Sequence, residues 1–382
     1  MLSKRDFLRL SAKALIASGL AATVPITSEL GATSAVTLRQ SSKLLQLHYN
    51  ENSLGMSPAA LQAAIDATGV LGNRYADQPL DELREKLAVK HKVAGSQIIF
   101  GNGSTEVLQA VSRLAAMQDA VLVEPTPTFG ALARYAKAQG MQVVKVPVSA
   151  DFVTDIAAIE AQANQYKGAV LVNLCNPNNP TGTIVDSAAL AAWIRRAPAQ
   201  HIFLLDEAYL EYALQSPGYQ SMLPLVLEGR ENLVIARTFS KVFGMAGLRM
   251  GYGVAAPKTA AQLNALGADF NLNIAGIAAA SASLDDQDFF LTSLKANAEA
   301  KQILLGTLDQ LNLSYIPSHT NFVLHRINSD LQTYSQRMRD NSVKVGRRMT
   351  AEDGWNRLSL GTPDDMREFS QLLLKFREQG WV

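Results

Sequence analysis

From residue 97 onward the chain is a succession of short, continuous apolar runs separated by stretches of helical periodicity. Gln97–Phe100, Ala120–Glu124, Met141–Pro147, Ala169–Leu174, His201–Leu205, Leu233–Ala236 and Met250–Val254 read as strands, and Thr105–Met117, Gly130–Gln139 and Ala188–Arg196 as helices. A strand with one wet face alternates apolar and polar residues. Runs such as Ala-Val-Leu-Val-Asn-Leu and His-Ile-Phe-Leu-Leu do not alternate, so they predict strands covered on both faces, in a mainly parallel sheet. That is an α/β architecture, and its ligands are expected outside the carboxyl ends of the strands. After about residue 270 the pattern changes. Asp286–Leu311 reads as one long helix, Tyr315–Arg326 as a strand, Leu331–Asn341 as a helix, Asn356–Leu360 as a strand and Asp364–Gln379 as a closing amphipathic helix. The expected organisation is therefore a large domain over 71–268 and a smaller α+β domain over 269–382, with residues 36–70 packing against the smaller one.

Composition narrows the function. Lys and Arg total 35 and Asp and Glu 34, so there is no field of one sign to attract nucleic acid or anionic lipid. The single cysteine, Cys175, excludes an intramolecular disulfide and any multi-cysteine metal centre, and none of the five histidines forms an H-x-x-x-H pair; no metal is expected.

Residues 1–35 read as an address rather than as part of the fold. A basic start (Lys4, Arg5, Arg9) precedes a weakly apolar stretch from Ala12 to Val24 and small residues from Ala32 to Ala35. The stretch is shorter than the roughly 20 apolar residues a transmembrane helix needs, so no membrane span remains once it is removed. Ser3-Lys4-Arg5-Asp6-Phe7-Leu8-Arg9 is similar to a twin-arginine export motif, with Lys4 in place of one Arg. The expected location is periplasmic or otherwise exported, and cytoplasmic if the segment does not act as a signal.

Polar residues gather just after the apolar runs. Gly101-Asn102-Gly103-Ser104-Thr105 opens a helix and can turn backbone N–H groups toward a phosphate. Glu124-Pro125-Thr126-Pro127-Thr128-Phe129 is a stiff turn ending in an aromatic ring. Cys175-Asn176-Pro177-Asn178-Asn179-Pro180-Thr181-Gly182 is an irregular loop fixed by two Asn-Pro steps. Asp206 ends another apolar run, where it is either a helix cap or a buried functional carboxylate. Lys241 lies just past the next strand, and Arg249 immediately before a further one. Each alone has an ordinary structural explanation. One chemistry uses them together: pyridoxal 5'-phosphate catalysis needs a lysine for the cofactor aldehyde, a carboxylate for the pyridine nitrogen, a phosphate cup, a stacking face and donors to the ring hydroxyl.

With these residues in hand, the chain resembles the fold-type-I (aspartate aminotransferase-like) class I and II aminotransferases, and within them the histidinol-phosphate aminotransferase branch. The resemblance runs from about Leu47 to the C-terminus. Arg237-Thr238-Phe239-Ser240-Lys241-Val242-Phe243-Gly244-Met245-Ala246-Gly247-Leu248-Arg249-Met250-Gly251-Tyr252 is close to the family's lysine signature, and Asn178-Asn179-Pro180-Thr181-Gly182 and Asp206-Glu207-Ala208-Tyr209 fall in the family's order. The resemblance implies Lys241 as the Schiff-base lysine and proton carrier, and Asp206 as partner of the pyridine nitrogen. Asn179 and Tyr209 would donate to the ring oxygen, and Phe129 would stack on the ring where the family more often has Tyr. Gly103, Ser104, Thr105, Thr238, Ser240 and Arg249 would form the phosphate cup. On the substrate side it implies Arg357 as the carboxylate clamp, Arg347 (or its neighbour Arg348) as a second substrate arginine, and Asn52 in an N-terminal substrate-facing segment, Asn50-Glu51-Asn52. It also implies a homodimer in which Tyr75 enters the neighbouring site. The expected reaction moves an amino group from an L-amino acid, or an amine like histidinol phosphate, to a 2-oxo acid in two half-reactions. Because histidine synthesis is cytoplasmic and residues 1–35 read as an export signal, an aromatic or other amino acid is the favoured donor. The alternatives are a decarboxylase or lyase on the same fold and, third, an exported binding protein without catalysis.

Overall fold

The computed structural model describes residues 44–350 and 352–382; the address expected over residues 1–35 lies outside the described residues. The central sheet contains β2 (Ile98–Asn102), β3 (Val121–Thr126), β4 (Val143–Pro147), β5 (Val170–Cys175), β6 (His201–Asp206), β7 (Leu233–Thr238) and β8 (Met250–Ala255). Their spatial order is β2-β8-β7-β6-β5-β3-β4, with β8 antiparallel to both its neighbours and the remaining pairs parallel. Every residue of β5, β6, β7 and β8 is buried, which is why these runs carry no polar alternation. Successive residues still serve opposite faces. On β6, Phe203 and Leu205 join one core and Ile202 and Leu204 the other. Helices α3 (Ser104–Ala116) and α4 (Ala131–Ala138) cover one face through Val107, Leu108, Val111 and Leu132. The opposite face is covered by α2 (Asp77–His91), α5 (Ile156–Ala163), α6 (Ser187–Arg196) and α10 (Ile274–Asp285); along the chain, the short helices α7 (Leu210–Ala213) and α8 (Leu223–Leu227) lie between β6 and β7, and α9 (Pro257–Asn264) follows β8.

A separate core lies in the C-terminal region. The long helix α11 (Gln287–Gln310) starts at Asp286, whose carboxylate accepts the Phe289 N–H at 3.0 Å. It buries Leu304 and Leu308 against β9 (Phe322–Arg326), β11 (Trp355–Ser359) and α13 (Pro363–Glu378), through Val323, Leu358, Phe369 and Leu373. α12 (Leu331–Asp340) adds Tyr334 and Met338. β9 and β11 pair antiparallel; β1 (Leu45–Leu47) pairs in parallel with β10 (Val343–Val345), so the start of the described chain is held by its C-terminal part. α1 (Pro58–Leu71), capped by Ser57, packs on α10. Among the described residues, no helix is long and apolar enough to cross a membrane.

The strand expected over Tyr315–Arg326 is shorter, beginning at Phe322. Tyr315 forms only an isolated bridge to His325. Between them the Ser318 and Thr320 hydroxyls bond locally to the Phe322 carbonyl, which takes the backbone out of the ladder.

Candidate active site

Several carboxyl ends of the parallel strands open on one cluster of polar side chains. At its edge is an anion-binding corner. β2 ends at Asn102, and Gly103, with φ +70, turns the chain into α3. Arg249, itself left-handed at φ +57, accepts the Gly103 N–H on its carbonyl at 2.8 Å. Its guanidinium donates to the carbonyls of Ala246 (2.9 Å) and Asn102 (3.3 Å) and reaches Ser240 Oγ at 3.5 Å. A Cβ on Gly103 would stand 2.2 Å from Arg249 Nη2, and one on Gly251 would stand 2.2 Å from the Ser104 nitrogen, so both glycines are needed for this approach. Thr238 Oγ1 donates to Ser240 Oγ at 2.9 Å. Glu106, the acid of the first helical turn, is directed to Asn102 and Asn271. What remains is a helix N-terminus, an arginine and two hydroxyls converging on one place, which suits a phosphate.

The centre is built around Lys241 and Asp206. Lys241 Nζ donates to the Asn50 carbonyl at 3.1 Å and lies 5.4 Å from the Tyr209 ring centroid. Burial, then the charge of Arg357, brings its pKa down to about 8, with Asp206 opposing. Asp206 is buried and accepts the Ala208 N–H at 3.2 Å. Its carboxyl is pushed up to about 6 by burial. A buried carboxylate with that little solvation is held ionised by a cationic partner, and a protonated ring nitrogen is of the right kind.

A hydrogen-bonded chain closes the other side. Arg357 donates to Asn179 Oδ1 at 2.7 Å and to the His48 carbonyl at 2.8 Å, and its buried Nε has no partner. Asn179 Nδ2 reaches the Tyr209 hydroxyl at 3.4 Å, and Asn50 Nδ2 reaches it at 3.0 Å. Two amides thus donate to Tyr209, and neither bond uses its own proton. Burial pushes that hydroxyl's pKa up, so it stays protonated and can donate. The donor set, the cradle and the buried acid together fit pyridoxal 5'-phosphate.

Sequence-identified residues fall into two groups. Lys241, Asp206, Asn179, Tyr209 and Arg357 are linked by contacts or by their fields, as are Gly103, Thr238, Ser240 and Arg249; Ser104 and Thr105 supply the first turn of α3. Phe129, partly exposed, lies in a turn that Thr128 and Asn178 tie to the asparagine loop at 2.8 Å. The others lie further out. Asn52 spends its amide on the Val242 carbonyl (2.8 Å) and Ser293 Oγ (3.0 Å). Tyr75 is 76% exposed, its ring 4.7 Å from that of Phe270. Arg347 is exposed, and its charge acts on Arg357; Arg348 instead bonds to the Thr350 carbonyl and approaches Asp353 at 3.8 Å.

Asn50, rather than Asn52, is the hub that residue patterns alone do not single out. Its φ is +56, its N–H donates to Ser359 Oγ at 2.7 Å, and its carbonyl accepts from both Lys241 and Asn321. The available signal was its type, since asparagine tolerates the left-handed region.

Known proteins resemble this chain in sequence and fold. Residues 42–373 match the family model for aminotransferase class I and II. The chain is 37% identical over 302 residues to a histidinol-phosphate aminotransferase of Moorella thermoacetica, covering 79% of this chain and 77% of that one. It is 35% identical to the enzyme of that name from Brevibacillus brevis, over 84% and 87% of the two chains. Among solved structures, histidinol-phosphate aminotransferase from Sinorhizobium meliloti in complex with pyridoxal-5'-phosphate is similar at TM-score 0.77 and 26% identity, over 86% of this chain and 89% of that one.

Proposed function

This chain belongs to the aminotransferase class I and II family, and from that membership we propose how its residues divide the work of a pyridoxal 5'-phosphate-dependent aminotransferase. When bound, the cofactor supplies an aldehyde that takes up the amino group and a ring that draws electrons from the substrate's α-carbon. Lys241 would hold the cofactor's aldehyde covalently, and its amine would serve as the base and acid that carries the proton at that carbon. Asp206 holds the ring nitrogen protonated. Tyr209 and Asn179 donate to the ring oxygen. Ser104, Thr105, Ser240 and Arg249 hold the phosphate, and Phe129 covers the ring.

For substrate we propose an anionic amine, either an L-amino acid or a phosphorylated amine like that named for the relatives, with a 2-oxo acid as acceptor. The single observation that carries this is the pair of arginines. Arg357 is buried with an unpartnered Nε, and Arg347 lies close enough for its charge to be felt there. A guanidinium suits two-pronged recognition of a carboxylate or phosphate. The test is the visible spectrum of the yellow holoenzyme with L-amino acids and histidinol phosphate added in turn. An effective donor converts the band to that of the aminated cofactor within one turnover. Release of carbon dioxide, or of a 2-oxo acid with no acceptor present, would instead make the protein a decarboxylase or lyase.

Two further parts of the proposal concern context. Tyr75, exposed beside Phe270, suits a homodimer in which it reaches the neighbouring site; a sedimentation mass of one chain for the holoenzyme would remove that reading. Residues 1–35 are proposed as a twin-arginine-type export address, resting on Lys4, Arg5 and the apolar stretch that follows. Full-length protein is then expected in the periplasmic fraction, and protein lacking residues 1–35 in the cytoplasm. Full-length protein confined to the cytoplasm would refute export.

A further inference from the structure

The residues next to Asp206 and ahead of Lys241 form a second buried cluster that the proposed chemistry leaves unused. Glu207 and Arg237 are 3% and 5% exposed. Arg237 donates to Glu207 Oε2 through Nε at 3.1 Å and through Nη2 at 2.8 Å. Ser221 Oγ lies 2.8 Å from both carboxylate oxygens and accepts from Arg237 Nη2 at 2.9 Å, and the Met222 N–H donates to Glu207 Oε1 at 3.0 Å. Arg237 Nη1 meets His91 Nδ1 at 3.3 Å, and His91 Nε2 meets the Tyr252 hydroxyl at 2.8 Å. A guanidinium can only donate, so Nδ1 accepts and the His91 proton is on Nε2, pointing to Tyr252.

This cluster ties together the ends of three adjacent strands. Asp206 pairs with Ala236 between β6 and β7, the Glu207 N–H continues to the Ala236 carbonyl at 2.9 Å, and Arg237 pairs with Tyr252 of β8. Just beyond these positions the chains part into the loops that carry Lys241 and Tyr209. A buried ion pair is a poor source of stability, because apolar residues of similar volume are often as good or better. A fully bonded one is stiff and directional.

We infer that Glu207 and Arg237 are positioning residues, which fix the distance between the Asp206 strand end and the Thr238–Lys241 turn, and so the fit of the cofactor between them. The inference rests on the cofactor assignment above. Its test uses the double variant Glu207→Met/Arg237→Met, which removes both charges while keeping bulk, alongside Glu207→Gln. For each, thermal midpoint, pyridoxal 5'-phosphate affinity of the stripped protein, kcat and the KM for the amine are measured. Wild-type protein is titrated first, so that failure to bind the cofactor there counts against the cofactor reading and not against the pair. In the double variant the expected result is a near-native midpoint, cofactor affinity and kcat each at least tenfold lower, and KM within threefold. Native affinity and kcat at a native midpoint would show the pair to be filler and overturn the inference. Should the double variant fail to fold, Glu207→Gln decides: a folded protein with cofactor affinity at least threefold weaker supports positioning, and undiminished affinity overturns it.

Discussion

Replacing Lys241 with methionine lowers turnover at least about 10⁴-fold while the protein still folds. Lysine acts twice in this site, as nucleophile and as the group that moves the α-proton, and proton transfer alone typically contributes 10²–10⁴-fold. Methionine keeps the length of the stem and abolishes both roles. The environment supports the nucleophilic one. Burial and the neighbouring Arg357 bring the amine to about 8 from its ordinary 10.5, so an appreciable neutral fraction is present near neutral pH. The same shift has a consequence for stability that is measured on cofactor-free protein. An amine whose pKa is lower folded than unfolded penalises the fold at every pH below about 8. The penalty fades between about 8 and 10.5, where the unfolded chain still holds the proton that the folded one has lost. Wild type therefore gains on the order of 3 kcal/mol relative to Lys241→Met across that window. Denaturant titrations of both proteins at pH 7.5 and 10 check this, and single-turnover spectra check the rate. A variant retaining a hundredth of native turnover would remove Lys241 from the proposed role, and parallel stability profiles would show that the fold does not depress its amine.

Much of the site is legible in the sequence because it follows a rule of the fold. When fully buried strands announce themselves as continuous apolar runs, the few residues that end or follow each run stand at the ligand edge: Asp206 is the last residue of its strand, Lys241 lies three residues past Thr238 and Asn179 four past Cys175. Contacts that join distant segments leave no such trace. Asn50 meets Ser359 across 309 residues and Lys241 across 191, and nothing near Asn50 distinguishes it from Asn52. Arg347 and Arg348 are neighbours of one type; what separates them is that Thr350 and Asp353 engage the second. Helix α2 escapes a reading by pattern because its sequence is dominated by charge, with Leu83, Leu87 and Ala88 its buried apolar residues. Glu207 and Arg237 are visible only as parts of motifs, 30 residues apart, and pair because β6 and β7 lie side by side.

Asp206→Asn is expected to cost about 10³-fold in kcat and, in the same protein, to reverse its stability ranking with the cofactor. The rate loss follows from charge. Asparagine is nearly isosteric but cannot keep a ring nitrogen protonated, and an uncharged ring is a poor electron sink; removing one such electrostatic contact typically costs about 10²–10³-fold. The stability effect runs the other way when the cofactor is stripped. Asp206 is pushed up to about 6 from 3.8 because burial opposes its ionised form. A carboxyl with a raised folded pKa contributes its full stability below pH 3.8, and that contribution is lost as pH rises through about 6, since in this window the folded chain binds more protons than the unfolded. At pH 7 the stripped wild type thus bears a penalty of about 3 kcal/mol that Asp206→Asn lacks, and the variant melts higher. Adding pyridoxal 5'-phosphate inverts the order. The cation that Asp206 was placed to meet removes the penalty, and ligand binding stabilises the fold by RT ln(1 + [L]/Kd), which is greater for the tighter-binding wild type. Melting curves of both proteins with and without saturating cofactor test for this crossing. If the variant is less stable in both conditions, Asp206 is a structural cap and not the partner of a ring nitrogen. A crossing would show that the fold carries this acid at a cost in stability, offset only when the cofactor is bound, as expected of a residue kept for chemistry rather than for folding.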